Sequence, residues 1–152
     1  MNQQHDHTAD YKALSLLTKA LISGILIFSI ISIGLHYFGG LSGKLDEYSQ
    51  TAFRVVLVLA VVIITAMRMI YTKRTNVLKA TNQSSKEKLD IFRSITITHM
   101  ALCEFTALLS IICFMVFGNF LFFLVVAIAL AEMILKFPSR QKTESVIHSG
   151  TF

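Results

Sequence analysis

The sequence predicts an all-α integral membrane protein, an antiparallel bundle of four helices. Its 152 residues are 54% hydrophobic and only 15% charged, which is not the balance of a soluble domain of this length. The apolar residues fall into long runs, each close to the ~20 residues that a helix needs to cross a hydrocarbon core. We place the four runs at residues 13–37, 52–71, 95–117 and 120–136.

The chain divides into a membrane domain, residues 13–137, between two polar tails. We expect residues 1–12 to form a flexible tail. His5 and His7 lie within it, but a structural metal site needs three or four convergent ligands. We therefore predict no metal and no other cofactor. Pro138 ends the fourth helix, so residues 138–152 form the second tail.

The first apolar run is predicted to remain as a helix. It is longer than the apolar part of a signal peptide, and no Ala-x-Ala-like cleavage site follows it. Within it, Ala20 and Gly24 are two small residues four positions apart, a spacing typical of close helix packing in membranes.

The segment between the second and third runs predicts a helix start. Ser84 stands three residues before Glu87, as in a capping box. We expect the third helix to begin near Ser85, so that helices two and three extend into the cytoplasm as a short basic hairpin. A flexible loop is the alternative.

A tight turn is predicted between the last two helices. Gly118 can adopt the left-handed conformation that ends a helix, and Asn119 can cap the next one. The four phenylalanines around this turn fit an interfacial aromatic belt better than a ligand-stacking site. They are Phe117, Phe120, Phe122 and Phe123.

Basic residues predict the orientation of the chain. The connection over residues 38–50 has Lys44 against Asp46 and Glu47. Under the positive-inside rule this places both termini in the cytoplasm of a bacterium, with the chain crossing the inner membrane several times. The formal charge of +5 is then a topology signal, and no nucleic-acid partner is expected. The basic residues on the inner side are Lys73, Arg74, Lys79, Lys86, Lys88 and Arg93, followed by Lys136, Arg140 and Lys142.

Three ionisable residues are predicted to share one layer of the membrane. Glu104 and Glu132 each lie about 20 Å from the outer turn, and Arg68 lies about 24 Å from the outer end of its helix. We interpret them as an intramembrane charge cluster or ion-binding candidate, with Arg68 as the partner of a buried Glu104. In the alternative, Arg68 extends to the headgroups, Glu132 pairs with Lys136 and only Glu104 is buried.

Another face of the third helix carries small polar residues. Their steps of four, three, four and three residues are typical of a packing seam, and we favour packing over a ligand path. Cys103 and Cys113 are about 15 Å apart along the helix, too far for a disulfide. The seam consists of His99, Cys103, Thr106, Ser110 and Cys113.

Two stretches resemble known membrane proteins. The segment Ala101-Leu102-Cys103-Glu104-Phe105-Thr106-Ala107-Leu108 resembles the helix around the ion-binding glutamate of rotary ATPase proteolipids. That resemblance implies that Glu104 binds a proton or a sodium ion. However, the chain has only seven glycines, whereas proteolipids pack glycine-rich helices, and Cys103 replaces a small alanine. Residues 87–140 resemble small four-span membrane proteins of Bacteroidota-type bacteria whose function is unknown.

The sequence contains no recognisable catalytic constellation. A nucleophile with its base, a metal cluster and a phosphate-binding loop are all missing from its motifs. We therefore predict no catalytic residues and a non-enzymatic role in packing or assembly. The expected partners are the lipid bilayer and either a second copy of the chain or other membrane subunits. The alternative function is proton or sodium translocation through Glu104.

Overall fold

Over the residues that the structure describes, the protein is a bundle of four α-helices, which confirms the predicted all-α four-helix architecture. The computed structural model describes residues 3–39, 46–81 and 84–138. Within these ranges there are no strands, and a short 3₁₀ helix at Asp46–Tyr48 precedes the second α-helix. The α-helices are α1 (Gln3–Phe38), α2 (Ser49–Ala80), α3 (Ser85–Phe117) and α4 (Phe122–Leu135).

Helix α3 is the centre of the bundle. It packs against α1, α2 and α4, and its contact with α4 is the most extensive. Small residues at that contact, Ala107 and Ala129, are fully buried and allow the two helices to approach closely. One apolar cluster joins α1, α3 and α4; it contains Ile25, Met100, Cys103, Ala107, Ile111, Val126, Ala129 and Met133.

The outer surface of the bundle is strongly apolar. Leu16, Ile30, Val58 and Met69, on α1 and α2, are among many large apolar side chains that are exposed. In the described part of the chain, three helical segments are long and apolar enough to cross a membrane by length and composition. These segments are Lys12–Phe38, Ser49–Leu78 and Lys86–Phe117.

The fourth helix is shorter than predicted. Helix α4 has 14 residues, about 21 Å of helix against a hydrocarbon core of about 30 Å. The reason lies at its start, where a tighter turn precedes the α-helix. There the Phe122 N–H donates to the Asn119 carbonyl (3.2 Å) and the Phe123 N–H to the Phe120 carbonyl (3.0 Å).

The ends of the chain differ from the expected tails in one respect. Helix α1 begins at Gln3, so most of the segment assigned to an N-terminal tail continues the first helix. Residues 139–152, which make up nearly all of the predicted C-terminal tail, lie outside the described residues.

Both predicted helix boundaries around α3 are present. The Glu87 N–H donates to Ser84 Oγ (3.3 Å) and the Ser84 N–H donates to Glu87 Oε2 (3.2 Å), which completes a capping box. Gly118 has φ 69° and its N–H donates to the Phe114 carbonyl. Helices α2 and α3 pack against each other as the helical part of the predicted hairpin, and α3 turns tightly towards α4.

The aromatic residues at this turn divide between surface and core. Phe120 is 45% exposed, as expected of an interfacial belt, but Phe122 is fully buried. The Phe122 ring lies 5.8 Å from that of Phe53 and 6.0 Å from that of Phe117. Interpreting all four phenylalanines as a belt was wrong for Phe122, because the first turn of α4 directs it into the bundle.

Candidate functional site

An ion pair links α2 to α4 in the part of the bundle nearer the α2–α3 connection. Arg68 donates from Nε to Glu132 Oε1 (3.2 Å) and from a terminal guanidinium nitrogen to Glu132 Oε2 (2.8 Å). The Glu132 side chain is only 5% exposed, whereas that of Arg68 is 55% exposed. This bidentate geometry satisfies both carboxylate oxygens of Glu132, and it is the strongest arrangement available to an arginine and a carboxylate.

A narrow stripe of buried residues along α2 determines where Arg68 lies. Ile64, Tyr71 and Leu78 are buried at seven-residue intervals, the spacing that keeps one face of a helix on its neighbour. Arg68 lies beside this stripe, so its long side chain can reach α4 while half of it stays exposed.

His99 adds a third helix to the site. Its side chain is fully buried, and Nε2 lies 3.7 Å from Glu132 Oε1, beyond ordinary hydrogen-bond length. The ring packs 5.3 Å from that of Tyr71, and Cys103 Sγ is 3.9 Å from Nε2. Nδ1 has no hydrogen-bond partner among the residues described.

The structure brings together two of the three predicted site residues. Arg68 pairs with Glu132, so the predicted pairing of Arg68 with Glu104 was wrong. Glu104 is half-buried, which also corrects its prediction as the buried carboxylate. Within the described chain it has no hydrogen-bond or ion-pair partner.

The alternative prediction, in which Glu132 pairs with Lys136, is also wrong. The Lys136 ammonium does not pair with the Glu132 carboxylate; its Nζ lies 5.1 Å from the centroid of the Tyr71 ring, a cation–π distance. That alternative also predicted that the Arg68 side chain extends to the headgroups, whereas Arg68 forms an ion pair with Glu132.

The polar seam on α3 is buried, as expected of packing. His99, Cys103, Thr106 and Ser110 are each at most 2% exposed, and Cys113 is half-buried. The Thr106 hydroxyl donates to the Leu102 carbonyl (2.8 Å) and the Ser110 hydroxyl to the Thr106 carbonyl (2.9 Å). These hydroxyls are satisfied within their own helix.

The chemistry available to the site is charge neutralisation and hydrogen bonding. It offers one carboxylate, one guanidinium and one imidazole, and both cysteines are free thiols. Among residues 3–39, 46–81 and 84–138, no three His, Cys, Asp or Glu side chains are grouped so as to hold a metal ion.

Comparison with protein-family models, with curated proteins and with solved structures found no match.

Proposed function

We propose that this chain is a multi-pass protein of the bacterial inner membrane that acts by packing against further transmembrane helices, not by catalysis. The observation that carries this proposal is the position of Glu104. Its carboxylate lies within an apolar segment long enough to span a membrane, is half-buried, and has no partner in the described chain.

A carboxylate in that position is costly unless something covers it. An acidic side chain near the middle of a membrane helix costs about 2.5–3.5 kcal/mol on insertion scales. For Glu132 the bidentate bonds from Arg68 offset this cost. For Glu104 we infer that a helix from a second copy, or from another membrane subunit, supplies the hydrogen-bond donor.

The surface of α1 supports an external helix contact. Ala20 is exposed, and a Cβ atom added at Gly24 would meet nothing within 4 Å. Ala20 therefore faces away from the bundle, and Gly24 is half-buried with room beside it for a side chain. Small residues exposed in this way permit close approach of another helix.

The proposed topology places both termini in the cytoplasm. Basic residues surround the connection between α2 and α3, including Lys73, Arg74 and Lys86, which supports an inner position for that connection. This topology requires α4 to cross as well. Its 14 residues are short for the purpose, and local thinning of the bilayer would accommodate them at modest cost.

The test is purification of the full chain from its native membrane in a mild detergent, followed by mass measurement and identification of co-purifying proteins. We expect a discrete homo-oligomer or a stable complex. Glu104→Gln should weaken that assembly, while Asp90→Asn, which removes an exposed charge from the same helix, should leave it intact. A parent chain that is monomeric and alone at every concentration contradicts the proposal.

A second candidate function is translocation of protons or sodium ions through Glu104. The same half-buried, unpartnered carboxylate favours it, because a group that binds an ion must be free to exchange its partner. Carbodiimide labelling of Glu104 that is suppressed by sodium, together with sodium or proton flux in proteoliposomes, would favour transport. Labelling that does not respond to either ion, and vesicles without flux, would favour assembly.

A further inference from the structure

A groove on the outer surface of α2 lies where the proposed membrane span ends. It is an open groove of about 560 Å³ with a mainly apolar surface, and its lining residues supply two cations, two apolar side chains, a hydroxyl and an amide. The lining residues are Arg68, Met69, Ile70, Thr72, Lys73 and Asn76.

The groove retains positive charge despite the Arg68–Glu132 pair. A guanidinium has five N–H donors, and Glu132 accepts from only two of its nitrogens. The Arg68 side chain is still 55% exposed. Lys73 is exposed and has no ion-pair partner in the described part of the chain. The carboxylate of Glu132 thus balances one cation and leaves the other uncompensated.

The order of residues along α2 matches a membrane boundary. Counted from residue 52, where the second apolar run begins, Arg68 lies about 24 Å along the helix and Lys73 about 32 Å. A hydrocarbon core of about 30 Å would therefore end near Thr72. Lys73 and Asn76 then lie at the level of lipid headgroups, and the apolar residues adjoin the acyl chains.

We propose that this groove binds the headgroup of an anionic phospholipid in the cytoplasmic leaflet. Lys73 and the remaining N–H donors of Arg68 would neutralise the phosphodiester, and Thr72 or Asn76 would hydrogen-bond the headgroup. Met69 and Ile70 would contact the first acyl carbons. Cationic pockets beside transmembrane helices on this side of a membrane are suited to such headgroups. The proposal rests on the membrane location given under Proposed function.

The experiment measures lipid selectivity of the full chain by native mass spectrometry, with dioleoylphosphatidylglycerol and dioleoylphosphatidylcholine competing for the purified protein. We expect preferential retention of the phosphatidylglycerol. Because one basic residue near the surface contributes roughly 1 kcal/mol, Lys73→Gln should lower that preference about fivefold. Arg74→Gln is the matched control, since it removes an exposed charge from the same helix at the same level but outside the groove.

Three outcomes would overturn the proposal. In the first, the parent chain shows no preference between the two lipids. In the second, Lys73→Gln and Arg74→Gln lose the preference equally, which would indicate diffuse attraction of the lipid to the basic surface. Alternatively, inorganic phosphate at equal concentration could displace the lipid, which would make the site one for a soluble anion. Carbonate extraction of the membranes before purification tests membrane insertion separately, so a failure of the proposed location is distinguishable from failure of the lipid site.

Discussion

The unequal burial of Arg68 and Glu132 predicts that the two partners are not equally costly to remove. Glu132 is 5% exposed and Arg68 is 55% exposed in their side chains. Arg68→Met leaves the buried Glu132 carboxylate without its cation. Glu132→Gln leaves the Arg68 guanidinium without its carboxylate, but that group is already exposed to water or headgroups. The first substitution should therefore be the more destabilising.

The structure sets the approximate size of each effect. Removing one partner of a buried pair typically costs 3–5 kcal/mol. We expect about 3 kcal/mol for Arg68→Met, at the lower end, because His99 lies 3.7 Å from the carboxylate and can provide a donor. Glu132→Gln should cost about 1 kcal/mol, the scale of an exposed ion pair.

The assay is reversible unfolding in mixed detergent micelles, followed by far-ultraviolet circular dichroism. The double variant Arg68→Met with Glu132→Gln should lose less than the sum of the single variants, because it leaves no unpaired charge. Arg54→Met is the control: Arg54 is exposed on the same helix and has no ion-pair partner in the described chain.

Two results would refute this reasoning. Equal losses for the two single variants would show that burial does not determine the cost. Strictly additive losses in the double variant would show that the bonds between Arg68 and Glu132 contribute no coupling free energy.

Three further predictions follow from the chain's topology and helix ends. A C-terminal fusion should be fluorescent with a cytoplasm-dependent reporter and inactive with alkaline phosphatase; the reverse pattern contradicts an inner C-terminus. Ser84→Ala should lower the free energy of unfolding by about 1 kcal/mol through loss of the capping box. The control Ser94→Ala, at an exposed mid-helix position, should change the free energy of unfolding little. Equal effects of the two substitutions would show that the capping box does not stabilise the helix. Gly118→Ala should cost about 1–2 kcal/mol because φ is 69°. Gly34→Ala, whose added Cβ meets nothing within 4 Å, should cost nothing and can gain up to about 1 kcal/mol through helix propensity. A tolerated Gly118→Ala would contradict the left-handed turn. All four substitutions are measured by the same unfolding assay.

The sequence predicted the level of a residue along the bundle better than its direction around a helix. Rise per residue placed Arg68 and Glu132 at similar depths, and the two are bonded. It also placed Glu104 there, but depth does not determine which way a side chain points. Glu104 is five residues after the buried His99, or about 140° around the helix. The seam that contains His99 therefore could have predicted that Glu104 lies on a different face of α3 from the contacts with α2 and α4.

Some helix ends were easier to predict from the sequence than others. A capping box and a glycine turn are encoded within a few residues, and both were predicted. The start of α1 was not, although the chain has no glycine or proline before Gly24 to interrupt a helix. The short α4 could not be foreseen because the tight turn at Asn119 and Phe120 depends on how Phe122 packs in the core.

The Arg68–Glu132 pair is better explained by specificity than by stability. Replacing a buried ion pair with apolar residues of similar volume is often neutral or stabilising, and α2 has few other buried residues, among them Val56, Ala60 and Ile64. A buried polar pair can instead fix the register of one helix on another. We therefore expect Arg68→Met with Glu132→Leu to keep the free energy of unfolding within about 1 kcal/mol of the parent.

That apolar variant should nevertheless hold α2 less firmly against its neighbours. Hydrogen–deuterium exchange should become faster in α2 while α3 stays protected, because α3 retains its extensive contact with α4. The variant Arg54→Met, which leaves the pair intact, should exchange like the parent. Unchanged exchange throughout α2 in the apolar variant would show that side-chain packing, and not the ion pair, sets the position of this helix.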